Sequence, residues 1–181
     1  MKTEELKIGS DAPTFNNLPA ADGKKYSLPS FSDKKIAVIV FSCNHCPYVQ
    51  AYEDRIIAFQ RDYESKGVQV VAINSNEIEH YPEDNFDEMV KRAKSKGFNF
   101  PYLRDDDQSV ANAYGATHTP EFFVFDDRRK LRYRGKFDDN YQNPKAVKTT
   151  YVRNAVDALI AGTKIAEPET YSIGCTIKWK T

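Results

Sequence analysis

Lys35-Ile36-Ala37-Val38-Ile39-Val40-Phe41-Ser42-Cys43-Asn44-His45-Cys46-Pro47 is the stretch that decides how this chain folds. The run from Lys35 to Phe41 is apolar and rich in β-branched residues, the mark of a strand buried on both faces. After Pro47, Val49, Tyr52, Ile56, Ile57, Phe59 and Tyr63 recur at helical spacing as far as Gly67. Val68 to Asn74 is then a second buried strand. Strand, helix and strand at this length form a βαβ unit, right-handed and with parallel strands.

Working outward, Thr14 to Leu28 reads as a short hairpin turning at Ala21-Asp22-Gly23. Glu83 to Gly97 reads as a helix, Phe100 to Leu103 as a short strand and Gln108 to Tyr114 as a short helix. Glu121–Phe125 and Leu131–Gly135 form a hairpin around Asp126 to Lys130. Pro144 to Ala161 reads as a final helix, with Val147, Tyr151, Val152, Ala155, Val156, Leu159 and Ile160 on one face. The tail from Tyr171 to Lys180 reads as irregular and holds the only Trp. A parallel βαβ half followed by a ββα half is the arrangement of the thioredoxin fold. That is an α/β fold with a mixed central sheet flanked by helices. The N-terminal hairpin and the helix inserted after Asn74 elaborate it, and one domain spans 1–181.

The chain has 181 residues, enough for a substantial core. Lys+Arg and Asp+Glu number 26 each. That balance gives no electrostatic reason to expect a nucleic acid or an anionic membrane as partner. The start, Met1 to Lys7, is polar and mixed in charge, unlike a signal peptide, and no run is apolar enough to span a bilayer. The reading is a soluble protein of the cytoplasm. No pattern in the chain fixes an oligomeric state.

Three cysteines, Cys43, Cys46 and Cys175, do not make a disulfide scaffold. In a reducing compartment a close pair is catalytic or metal-binding rather than structural. Cys43 and Cys46 stand where a buried strand gives way to a helix, whose N-terminus carries partial positive charge and free N–H groups. These favour a thiolate, so Cys43 is expected to be the acidified nucleophile. It would attack a substrate disulfide, and Cys46 would resolve the mixed disulfide. His45, when protonated, would add positive charge beside the thiolate. Pro47 suits the first helical position. The alternatives are two inert buried cysteines, or a zinc or copper site drawing on Cys43, Cys46, Cys175 and a histidine.

Several stretches carry a resemblance that runs nearly end to end. They include Gly9-Ser10-Asp11-Ala12-Pro13, Phe41 to Tyr48, Ala72 to Glu77, Tyr81 to Asp84, Phe100 to Leu103, Tyr114-Gly115-Ala116 through Thr119-Pro120, Tyr133-Arg134-Gly135 and Gly174 to Lys180. In these the chain resembles the thioredoxin-like branch of the AhpC/TSA (peroxiredoxin-type) superfamily. The resemblance implies that Thr119-Pro120 is a cis-proline loop packed on the cysteine pair, with the Thr119 backbone docking an extended substrate. It implies that Glu77 moves protons for the thiols, and it places His118 beside the proline loop. It implies a protein disulfide or a peroxide as substrate, a thiol donor such as a thioredoxin-type system, and no cofactor.

Departures qualify the resemblance. Ser42 replaces the Trp that precedes the first thioredoxin cysteine, and Ala37 falls where its buried Asp would be. Cys46-Pro47 suits a peroxidatic cysteine, but Cys43 occupies the place of the peroxiredoxin Thr. Arg134 is the candidate guanidinium for peroxide oxygens. Cys175 is read as a structural residue packed with Ile177 and Trp179, with a second resolving role as the alternative. The competing functions are therefore a dithiol–disulfide oxidoreductase, a thiol peroxidase, and a metal-binding, redox-inert adaptor.

Overall fold

A computed structural model of the chain describes residues 4–181, so the first three residues of the polar start lie outside the described residues. The chain opens with a small antiparallel ribbon, β1 (Leu18–Pro19) and β2 (Lys25–Tyr26). It then enters β3 (Ile36–Phe41), all six residues of which are buried. Helix α1 (Pro47–Tyr63) follows, tightened by a 3-10 turn and ended at Gly67, whose φ of 80° is the left-handed conformation that favours glycine. Next come β4 (Val68–Asn74), α2 (Phe86–Lys96), β5 (Tyr102–Arg104) and α3 (Ser109–Tyr114). The second half holds β6 (His118–Thr119), β7 (Glu121–Phe125), β8 (Leu131–Gly135), α4 (Tyr151–Ala161) and β9 (Cys175–Thr176).

The central sheet runs β5-β4-β3-β7-β8. β3, β4 and β5 are parallel, and β7 and β8 are antiparallel to their neighbours. Alternate strand residues feed two cores, as the two-residue period of a strand requires. Val38, Val40, Val70 and Val124 meet Tyr52, Ile56 and Phe59 of α1, Met89 of α2, and Val152, Ala155 and Val156 of α4. Ile39, Phe41, Ile73 and Phe123 meet Val110 and Tyr114 of α3 together with Phe15, Phe31 and Ile177. The mixed sheet, ribbon and inserted helix match the sequence reading.

Two helices are shorter than their periodicity predicts. The first begins at Phe86 rather than Glu83, after a 3-10 turn over Pro82–Asp84. Asn85 caps it by accepting the Glu88 N–H at 2.9 Å, and Asp84 is fully buried instead of joining the helix. The last helix begins at Tyr151, not Pro144, so Val147 is extended and outside it. The Asp139 carboxylate accepts the Lys148 and Thr149 N–H groups at 2.9 and 3.1 Å, holding that segment out of helical pairing. Ile160 lies on the exposed side.

The tail is not wholly irregular. β9 pairs antiparallel with β6, Cys175 opposite Thr119 and Thr176 opposite His118. Beyond it, the Gln108 amide donates to the Lys178 carbonyl at 2.8 Å and accepts the Lys180 N–H at 2.9 Å. Asn76 accepts the Lys178 N–H at 2.9 Å. The last residues are thus strapped across the carboxyl end of the sheet, where ligands of open α/β sheets bind.

Candidate active site

β3 and β4 are parallel neighbours, so the loops leaving their carboxyl ends lie side by side. The first loop carries Ser42 to Cys46 and the second Ser75 to Glu77. Cys43, Cys46 and Cys175 are free thiols, and they come together with Val49 and Tyr48 in one small apolar cluster. Cys43 is 2% exposed and Cys46 is fully buried. The Thr119–Pro120 bond is cis, as expected from the resemblance, and its loop closes over both sulfurs. Cys43 Sγ lies 3.6 Å from Thr119 Oγ1, and Cys46 Sγ lies 3.4 Å from the Thr119 carbonyl oxygen.

The two site thiols are shifted in opposite directions, Cys46 down and Cys43 up. Helix α1 starts at Pro47, which makes Cys46 its N-cap and sets it at the positive end of the helix dipole. The Cys43 thiol, then the Cys175 thiol and the Val49 and Cys175 N–H groups, hold Cys46 down to about 4 against the resistance of burial. Cys43 is pushed up, by its bond to Cys46 first, then by burial and the Asp84 carboxylate. A neutral Cys46 would donate to the Thr119 carbonyl, but that single contact is outnumbered by the groups that favour the thiolate. Cys43, expected to be the acidified thiol, stands four residues ahead of the first helical residue and near the Asp84 carboxylate, and its shift runs upward.

His45 lies beside Asp84 and Cys43, with a ring nitrogen within 4.8 Å of Cys43 Sγ. Its Nδ1 lies 2.7 Å from Asp84 Oδ2, and its ring stacks on Tyr81 with centroids 5.9 Å apart. Asp84 is the functional residue that sequence reasoning missed. It is fully buried, accepts the Asn44 N–H at 2.7 Å, and is held by the Asn74 and Asn76 amides at 3.3 and 2.9 Å. Asn44 in turn accepts from the Tyr102 hydroxyl at 2.8 Å. The carboxylate therefore fixes the shape of the loop between the cysteines. The signal in the sequence is its place at the end of Tyr81-Pro82-Glu83-Asp84, one of the stretches that carry the family resemblance.

Glu77 is buried, but its carboxylate turns back on its own loop. It accepts the Glu79 N–H at 2.8 Å and the His80 N–H at 3.2 Å, and lies 2.8 Å from His80 Nδ1. Burial works against these bonds, yet they leave its pKa lowered. Among the described hydrogen bonds none joins it to either sulfur; its partners are its own loop. Arg134 is engaged by other groups: it donates to the Leu6 carbonyl at 3.2 Å and lies 3.6 Å from Glu121. Cys175 packs on Cys46 and Val49 rather than on Trp179, which is partly exposed, or Ile177, which sits in the other core.

The Thr119 backbone, expected to dock a substrate, is already paired with β9. Metal binding gains a partial ligand set, since Cys43, His45 and Asp84 bring their donor atoms within 4.8 Å of one another. The Asp84 carboxylate, however, is already engaged by the Asn44 N–H, two amides and the imidazole. Among the described residues no histidine completes the three sulfurs. His118 Nδ1 lies 2.8 Å from Thr117 Oγ1, and His80 faces Glu77. No described helix is long and apolar enough to cross a membrane.

The model of the Redoxin family matches residues 7–150, and the chain belongs to that family. It is an oxidoreductase with a thioredoxin fold, of the AhpC/TSA-like branch. A solved structure of an uncharacterised conserved protein from Geobacillus kaustophilus is 42% identical. It superposes with a TM-score of 0.91 over 99% of this chain and 96% of that one. The thiol-disulfide oxidoreductase ResA of Bacillus subtilis is 30% identical over 131 residues, 71% of this chain and 66% of that protein. A Mycobacterium tuberculosis protein provisionally described as a peroxiredoxin is 28% identical over 64% of this chain and 68% of its own length. The chain thus spans about two thirds of these two relatives.

Proposed function

We propose that the protein is a thiol–disulfide oxidoreductase whose Cys43 and Cys46 cycle between dithiol and disulfide. The observation that carries this reading is a pair of buried free thiols, Cys43 and Cys46, ahead of the first turn of α1 and in contact with Thr119 of the cis Thr119–Pro120 loop. The Cys46 thiolate attacks one sulfur of a disulfide substrate and expels the other as a thiolate. Cys43 then gives up its proton and attacks Cys46, which releases the second substrate thiolate and leaves the Cys43–Cys46 disulfide. Two electrons pass from the protein to the substrate. An external dithiol donor of the thioredoxin type restores the pair. The order is the reverse of the one the sequence suggested, because the helix N-terminus serves Cys46.

The thiols are buried and the docking edge is filled by the tail, which favours small disulfides over protein disulfides in the strapped form. Peroxide is the weaker substrate reading, since Cys43 stands in place of the orienting Thr and Arg134 faces Glu121. We also place the protein in the cytoplasm, a reading that cell fractionation tests.

The central experiment traps the mixed disulfide. The Cys43→Ser, Cys175→Ser double variant, incubated with a small aromatic disulfide, is expected to hold the aromatic thiol on Cys46. The Cys46→Ser, Cys175→Ser variant is expected to react more slowly by roughly tenfold or more at neutral pH. Trapping on Cys43 alone would restore the opposite order. No trapping on either cysteine, with both native and reduced, would remove the oxidoreductase cycle.

A further inference from the structure

Cys46 has a thiol on each side. On one side is Cys43, its partner in the proposed cycle, and on the other is Cys175, brought by β9. The strap that delivers Cys175 is built with care for position. Its residue pairs with Thr119, whose carbonyl and hydroxyl touch the two site sulfurs. Gly174 is required there, because a Cβ at that residue would lie 2.0 Å from the Thr119 carbonyl oxygen. Gln108 and Asn76 then pin Lys178 and Lys180. Cys175 itself is only half-buried, unlike Cys43 and Cys46.

We propose that Cys175 is a third catalytic thiol, which takes the disulfide from the buried pair by exchange and presents it at the surface as Cys46–Cys175. The inference rests on the oxidoreductase reading above and adds the route by which the pair is reset. In the step, Cys175 loses its proton to solvent and its sulfur attacks Cys46 Sγ of the Cys43–Cys46 disulfide. The Cys46–Cys175 bond forms, the Cys43–Cys46 bond breaks, and Cys43 leaves as a thiolate that takes up a proton. No oxidant is consumed, because one disulfide replaces another. A dithiol donor then reduces Cys46–Cys175 from the tail side.

Electrostatics time the exchange. In the reduced protein Cys175 is raised to about 11, by burial first and then by the bond to Cys46 and its negative charge. Once Cys46 is held in a disulfide that charge is gone, and one brake on ionising Cys175 goes with it. Oxidation of Cys46 thus removes one of the influences that keep Cys175 a thiol, burial being the other.

The test uses the full chain, oxidised with one equivalent of diamide, quenched in acid, alkylated and mapped by mass spectrometry. The wild type is expected to give both Cys43–Cys46 and Cys46–Cys175 linked peptides, and the Cys43→Ser variant Cys46–Cys175 alone. Cys175→Ser is expected still to form the Cys43–Cys46 disulfide but to be re-reduced by thioredoxin more slowly, by roughly tenfold. Far-ultraviolet circular dichroism checks that each variant folds. If Cys43–Cys46 forms while Cys175 remains fully alkylatable in the wild type and in Cys43→Ser, the third-thiol proposal fails and the dithiol cycle stands. If no linked peptide forms at all, both fail. Cys46–Cys175 without any Cys43–Cys46, even at the earliest quench, would overturn both, since the exchange then has no Cys43–Cys46 disulfide to start from.

Discussion

A Cβ built on Gly174 falls 2.0 Å from the carbonyl oxygen of Thr119, closer than any side chain tolerates. The tail approaches the proline loop only because residue 174 has no side chain. Gly174→Val is therefore expected to push β9 off β6, at a cost of about 1–3 kcal/mol for the forced backbone shift. Cys43 and Cys46 would become open to alkylation, and turnover of a protein disulfide such as insulin would rise relative to a small disulfide. Iodoacetamide kinetics and the ratio of the two turnover rates read this. Unchanged alkylation of a folded Gly174→Val protein would show that the tail does not guard the thiols.

Asp84 raises Cys43 and holds the loop between the cysteines. Asp84→Asn keeps an oxygen for the Asn44 N–H but removes the charge. Cys43 is then expected to ionise at lower pH, shifting its alkylation profile to the acid side, measured in the Cys46→Ser, Cys175→Ser background. Asp84→Ala is expected to destabilise the fold by roughly 3 kcal/mol, because the Asn44 N–H and two buried amides lose their acceptor. Chemical denaturation of the two variants separates charge from support.

Much of this architecture is legible in the residues. The buried runs Ile36–Phe41 and Val68–Asn74, with the amphipathic stretch between them, define the core unit, because strand and helix periods are local properties. Cys43 and Cys46 are legible for the same reason, and the cis bond at Pro120 follows from the family pattern. The role of Asp84 is not legible, since it depends on the Asn44 loop and the β4 loop meeting across parallel strands. The neighbours of Cys175 are Cys46 and Val49 in place of Ile177 and Trp179, because they are set by pairing with β6, which lies far from it in sequence. The opposite shifts of Cys43 and Cys46 are not legible either, since the downward one on Cys46 draws on Cys175 from the distant tail as well as on the start of α1.

Glu77 offers a contrast between family expectation and geometry. Its carboxylate is bound to the Glu79 and His80 N–H groups and to the His80 ring. Glu77→Gln is expected to leave the pH profile of Cys46 alkylation in place and to loosen the 77–81 loop, seen as faster amide exchange at Glu79 and His80. A shift of the thiol profile without a change in loop exchange would return Glu77 to proton transfer.

The Cys46 thiolate ties stability to pH with a definite sign. Its pKa is lowered from 9.0 to about 4 on folding, so between those values the unfolded chain binds one more proton than the folded one. Stability from this group therefore rises with pH across that window, is complete above about 9, and is lost as pH falls through about 4. Cys175, raised to about 11, acts oppositely: above 9 the unfolded chain ionises first and stability falls. Cys43, also raised, adds to that fall. The reduced protein is thus expected to gain stability over Cys46→Ser steadily from acid to mildly alkaline pH and to lose part of the gain beyond. Urea unfolding of both proteins across that range measures the difference, with the many carboxylates cancelling between them. Ultraviolet thiolate absorbance should persist in the reduced wild type down to about pH 5 and vanish in Cys46→Ser. A flat difference in stability, or thiolate absorbance lost near pH 9, would place the charge elsewhere than on Cys46.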